Sequence, residues 1–204
     1  LILGGQMIFQ LMDSKVDCVG VYLPNKFIYG KIPSGLTKTW SWSQHLDGLD
    51  IEYAQLWTAG KSLDDVCPPE LSVRWTAAQN LVKSHFKSFR TAGMNLDDVC
   101  FYELVPEKHL QHYFDTKNEI TSWVFENMDK PKNYSFIKET FGNLRKLAQQ
   151  QVNVNMFALY VTSAEDNKAK HLYKQFEGKT IQIDYDIFGT VTGRLTTKRG
   201  SFPI

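Results

Sequence analysis

Ile181-Gln182-Ile183-Asp184-Tyr185-Asp186-Ile187-Phe188-Gly189-Thr190-Val191-Thr192-Gly193-Arg194-Leu195-Thr196-Thr197 is the stretch on which the reading of this chain turns. Ile181, Ile183, Tyr185 and Ile187 alternate with Gln182, Asp184 and Asp186, the period of a half-buried strand. Gly189 and Gly193 then offer two points where the backbone can turn sharply or lie close to another segment. Arg194 carries five fixed donors, and Thr190, Thr192, Thr196 and Thr197 carry hydroxyls. Lys198 and Arg199 follow directly. A strand, a glycine turn, an arginine, hydroxyls and two cations suit contact with a sugar-phosphate backbone.

Thr192-Gly193-Arg194-Leu195 followed by Thr196 and Thr197 resembles the motif that opens the palm of family A DNA polymerases, the DNA polymerase I type. The short form, from Tyr185 through Arg194 to Ser201-Phe202-Pro203-Ile204, is most similar to the phage-encoded branch. The resemblance implies a template-directed DNA polymerase, a nucleotidyltransferase of viral or phage DNA replication. Its partners would be primer-template DNA and deoxynucleoside triphosphates, with Mg²⁺ as cofactor. It assigns Arg194 to the minor groove at the primer end. Thr192, Thr196, Thr197, Lys198 and Arg199 become backbone contacts, and Gly193 permits close approach. Many cellular members follow the hydroxyls with an Asn-Pro-Asn-Leu-Gln-Asn loop. Here Lys198-Arg199-Gly200-Ser201-Phe202 stands instead, so the Asn and Gln contacts of that loop do not carry over.

The 204 residues suit one or two domains with a real core. Hydrophobic content of 43% and charged content of 22% are ordinary globular values. The net charge of +1 is unevenly spread: residues 168–204 hold seven Lys/Arg against three Asp/Glu, leaving the rest of the chain slightly acidic. A positive end on a near-neutral protein fits local contact with a polyanion. Cys18, Cys67 and Cys100 are widely spaced and form no CxxC or Cys/His cluster, which supports neither zinc nor a disulfide framework. Reduced thiols and a cytoplasmic location, the host cytoplasm for a viral protein, are expected. No apolar run approaches the roughly 20 residues of a membrane span. The chain begins at Leu1 and stops at Ile204 inside the motif, and reads as a piece of a longer protein.

Residues 6–33 read as β, with Pro24-Asn25 as a hairpin turn between Val16–Leu23 and Lys26–Ile32. Trp40, Trp42 and Trp57 could stack bases, but a tryptophan cluster more often builds the core of a small domain. Thr58–Leu71 matches Thr91–Leu104 at ten of fourteen positions, an echo at an offset of 33 residues. Each copy precedes a helix, one from Ser72 to Arg90 and one from Glu107 to Met128. Paired Asp64/Asp65 and Asp97/Asp98 have the chemistry of a hard-cation site, but acidic residues before helices more commonly serve as caps. Further helices are expected to about Gln150 after a cap at Asn133 or Ser135, over Val152–Thr162, and over Ala164–Phe176, closed by Gly178.

The expected fold class is α/β (α+β) in three parts. An amino-terminal α/β domain over 1–104 holds a degenerate or absent exonuclease. A helical, thumb-like region fills 105–178, and the opening strand and loop of a palm fill 179–204. No catalytic residue and no metal ligand is expected within these residues, because the family's metal-binding carboxylates follow the motif. An active proofreading exonuclease is not expected either. Asp50-Ile51-Glu52 has the required spelling without a strand leading into it, and no Tyr-x-x-x-Asp occurs. Two rival readings stand beside the polymerase: a non-enzymatic nucleic-acid-binding module, and a helical interaction protein in which Thr-Gly-Arg-Leu is only a turn.

Overall fold

The computed structural model describes residues 8–13, 19–30, 32–96, 99–190 and 194–198. The fold is α+β, and the chain forms two compact units, 1–132 and 133–204.

In the first unit, β1 (Ile8–Asp13), β2 (Val19–Leu23) and β3 (Lys26–Tyr29) make an antiparallel meander. Pro24 and Asn25 turn β2 into β3 as the sequence predicts. Asn25 takes φ 61°, a left-handed conformation that Asn tolerates better than most residues. Two further strands of two residues each, β4 (Lys38–Thr39) and β5 (Glu52–Tyr53), extend the sheet in parallel to the order β3-β2-β1-β4-β5. Neither has a period to betray it. Gly20 in β2 leaves room for its cross-strand partner, since a Cβ there would lie 2.6 Å from Met12 Cε.

Short helices α1 (Ala54–Trp57) and α2 (Leu63–Val66) precede the long α3 (Pro69–Thr91). The short α4 (Phe101–Leu104) precedes the long α5 (Glu107–Asn127). Pro69 sits in the first turn of α3, where its missing N–H costs nothing. The helix expected from Glu107 is α5, and it buries Leu110, Phe114, Ile120 and Val124. Leu110 and Phe114 pack with Met12, Tyr22 and Val105. Ile120 and Val124 pack with Trp40, Ala54, Val66 and Trp75. Trp40 is thus a core residue, and Trp57 packs against the same cluster. Helix α5 lies against α3 and the sheet, and the first compact unit runs through it to Lys132.

The sequence echo has a partial structural counterpart: α4 over Phe101–Leu104 stands at the place in the repeat where Pro69 opens α3 in the first copy. Asp65 closes a capping box with Ser62, and Asp64 accepts hydrogen bonds from Trp75 Nε1 (2.5 Å) and Gln79 Nε2 (2.7 Å). Both carboxylates therefore serve the helices. Asp97 and Asp98 lie outside the described residues.

The second unit holds α6 (Tyr134–Ala148), α7 (Met156–Thr162) and α8 (Asn167–Phe176), followed by a two-stranded ribbon of β6 (Tyr185–Asp186) and β7 (Thr196–Thr197). Helix α7 is shorter than the span expected from 152. The Val152 N–H turns away to the Ile181 carbonyl (2.8 Å), and the Asn155 side chain caps the helix at Ala158 N. Asp166 caps α8. The strand expected over Ile181–Ile187 is reduced to two paired residues.

Candidate nucleic-acid interface

The ribbon is anchored before it is formed. Gln182 Nε2 donates to the Gln149 carbonyl (3.2 Å), which holds the entering chain at the end of α6. Asp184 then receives Arg145 Nη1, from the last turn of the same helix, at 2.9–3.0 Å. It also receives Lys198 Nζ at 2.9 Å, and the Lys198 N–H reaches the Asp184 carbonyl at 2.8 Å. Burial pushes the Asp184 carboxyl up, but the Lys198 hydrogen bond and the Arg145 and Lys198 charges outweigh burial and hold it below its ordinary value. One carboxylate between two cations leaves the base of the ribbon positive.

Beyond this anchor the antiparallel pairs are Tyr185 with Thr197 and Asp186 with Thr196. Asp186 Oδ1 accepts the Phe188 N–H (2.8 Å), starting the turn with its own side chain. Gly189 lies so close to β7 that a Cβ would fall 1.7 Å from Thr196 Oγ1. Of the two uses open to this glycine, a sharp turn or a close approach, the structure shows a close approach, to the side chain of the chain's own Thr196. Thr190 Oγ1 accepts the Arg194 N–H (2.9 Å) and donates to the Arg194 carbonyl (3.1 Å), pinning the two ends of the loop together.

The predicted contact residues are not equivalent in this geometry. Arg194 is exposed, and among the described residues its guanidinium has no ion-pair partner. Thr196 and Thr197 are half-buried and alternate across the strand, so Thr196 faces Gly189 and Thr197 the other side. Lys198 is half-buried and committed to Asp184. Thr192, Gly193 and Arg199 lie outside the described residues. Arg145 and Asp184 were not legible as ribbon anchors, because they stand 39 residues apart and meet only in the fold.

The carboxylates near the ribbon do not suit Mg²⁺. Asp184 is taken by two cations and Asp186 by a backbone N–H. Among the described residues no three His, Cys, Asp or Glu side chains converge. In the first unit no strand leads into Asp50-Ile51-Glu52, and Glu52 itself opens β5. Its carboxylate pairs with Lys130 and, at 3.9 Å, with Lys38. On the central strand β1, Gln10 and Met12 stand two apart and fully buried, and neither is a carboxylate. Cys67 is a free thiol, but Cys100 is disulfide-bonded. That corrects the expectation of reduced thiols, since spacing along the chain carries no measure of distance in space. No described helix is long and apolar enough to cross a membrane.

No protein family, curated protein or solved structure matches the chain.

Proposed function

We propose that the chain is the duplex-contacting part of a family A type DNA polymerase, one that extends a DNA primer on a DNA template in phage or viral replication. The observation that carries this reading is the ribbon. It presents Arg194 exposed, with no ion-pair partner among the described residues, just before the Thr196–Thr197 strand and on a base that Arg145 and Lys198 keep positive. Phosphate contacts by exposed cations and hydroxyls fix a protein's register on a duplex without reading its sequence, which is what a polymerase needs at a primer end. In this reading Arg194 meets the primer-end minor groove and Thr197 the backbone. Lys198 acts mainly by holding Asp184 and only secondarily through phosphate. Mg²⁺ and the deoxynucleoside triphosphates are handled by carboxylates and cations elsewhere in the full-length enzyme, and no chemical step is assigned to the residues described.

The test is primer extension with deoxynucleoside triphosphates and Mg²⁺. The full-length enzyme extends a primer, and the 204-residue chain alone does not. Extension by the 204-residue chain would overturn the placement of the catalytic residues, and a full-length protein that binds duplex without extending it would establish a non-enzymatic binding module instead.

A further inference from the structure

The first unit encloses a polar cavity of about 200 Å³, lined among others by Gln10 of β1, Thr39 of β4, Ser41 and Ser43 of the following loop, Tyr102 of α4 and Lys117 of α5. Two features of this lining have no use inside the protein. Lys117 sits on the apolar stripe of α5, three residues from both Phe114 and Ile120. Among the described residues no carboxylate pairs with it, and its Nζ stands 6.0 Å from the Phe114 ring. The side chain is half-buried, and loss of solvent pushes its ammonium down to about 8. Gln10 is fully buried and its Oε1 has no hydrogen-bond partner. The orientation of that amide is settled by its neighbour. Thr121 Oγ1 spends its one proton on the Lys117 carbonyl (2.7 Å), so it can only accept from Gln10 Nε2 (2.9 Å). Gln10 therefore keeps an idle acceptor beside a cavity that also holds a cation without a counterion. A fully buried acceptor is costly to leave without a partner, and a carboxylate beside the half-buried cation would neutralise it.

We propose that this cavity binds a small carboxylate that also carries a hydroxyl or amino donor, with its carboxylate on Lys117 and its donor on Gln10 Oε1. The hydroxyls of Thr39, Ser41 and Ser43 supply further polar contacts. A volume of about 200 Å³ has room for a two- or three-carbon hydroxy or amino acid. The inference is independent of the ribbon and of the polymerase reading.

Isothermal titration of the intact chain with glycolate and with acetate tests it. Glycolate has both groups, whereas acetate lacks the donor. Glycolate should bind at millimolar concentration or better, and acetate about tenfold more weakly or less, the value of one hydrogen bond made to a group otherwise left unsatisfied. Lys117→Met should abolish glycolate binding. Lys117 and Tyr102 are the titratable groups in the lining, and neither anion titrates near pH 8. Glycolate placed on Lys117 should therefore draw a proton onto it at that pH, visible as a heat that depends on the buffer. That measurement and the acetate comparison use the unaltered chain, so they decide the matter even if Lys117→Met does not fold. The proposal is overturned if neither anion binds, if Lys117→Met binds glycolate as well as the unaltered chain, or if binding takes up no proton. Equal affinity for acetate and glycolate would remove Gln10 from the site.

Discussion

The two units differ in how they spend their apolar residues. The largest fully buried side chains, among them Tyr22, Phe9, Phe114, Met12, Leu110 and Ile120, all belong to the first unit. The second buries Tyr134, Leu144, Ala169, Phe176 and Ile181 but leaves Phe157 78% exposed, with Phe136, Tyr160 and Val161 also open. A sheet covered by long helices surrounds its core with contacts, whereas three shorter helices and a ribbon do not. The first unit should therefore hold its shape by packing. The ribbon of the second should depend on a few named polar links: Arg145–Asp184–Lys198, Thr190–Arg194 and the fit of Gly189 against Thr196.

The largest effect expected is on the packed side. Phe114 touches the rings of Tyr22, Phe27, Tyr102 and Tyr113. Phe114→Ala should cost about 3–5 kcal/mol, and Leu144→Ala in the second unit should lie at the low end of roughly 2–5 kcal/mol. Denaturant unfolding of both variants checks this, and equal losses would erase the contrast between the units.

Next comes a gain. Lys117 is depressed from 10.5 to about 8 in the folded chain, so the folded state binds its proton less well than the unfolded one. The cost is in full force below about pH 8 and disappears as pH rises through 10.5. Stability should increase across that window. Lys117→Met should remove the increase and stabilise the chain near neutral pH by something on the order of 2–3 kcal/mol. A pH series of unfolding midpoints reads both.

The smallest effect is at the ribbon anchor. Asp184 is about a third exposed, so its two ion pairs are discounted for solvent. Asp184→Asn should cost only about 1 kcal/mol, yet it should speed amide exchange in β6 and β7 while leaving β1 and β2 unchanged. Because the folded carboxyl titrates below its ordinary value, this contribution is present above the unfolded carboxylate range and is lost as pH falls through the lowered folded value. Exchange that rises equally in both units would mean the ribbon has no anchor of its own.

The same contrast governs what the sequence discloses. Local chemistry was legible: the β character of residues 6–33, the Pro24-Asn25 turn, the capping use of the Asp64/Asp65 pair and the helix opening at Glu107 all follow from residues a few places apart. The parallel strands β4 and β5 were not legible, because two residues have no period and their partners lie far away in sequence. The packing of α5 onto the sheet was not legible either, because α5 reads as any amphipathic helix until its partner is known. At the candidate interface, Arg194 and the threonines stood out by type, but the engagement of Lys198 depends on Asp184, fourteen residues back. Lys117 did carry a sign, a lysine on an apolar stripe, which becomes informative only once the cavity beside it is seen.

The central claim is that the ribbon offers Arg194, and not Lys198, to duplex DNA. Fluorescence anisotropy of a labelled primer-template duplex, titrated with the 204-residue chain at several salt concentrations, tests it most directly. Arg194→Ala should weaken binding about tenfold or more, the loss of one charge-assisted hydrogen bond, and lower the salt slope by about one unit. Lys198→Ala should weaken it less, since Arg145 still holds Asp184. Arg194→Ala binding as tightly as the unaltered chain, or Lys198→Ala showing the larger loss, would contradict the account.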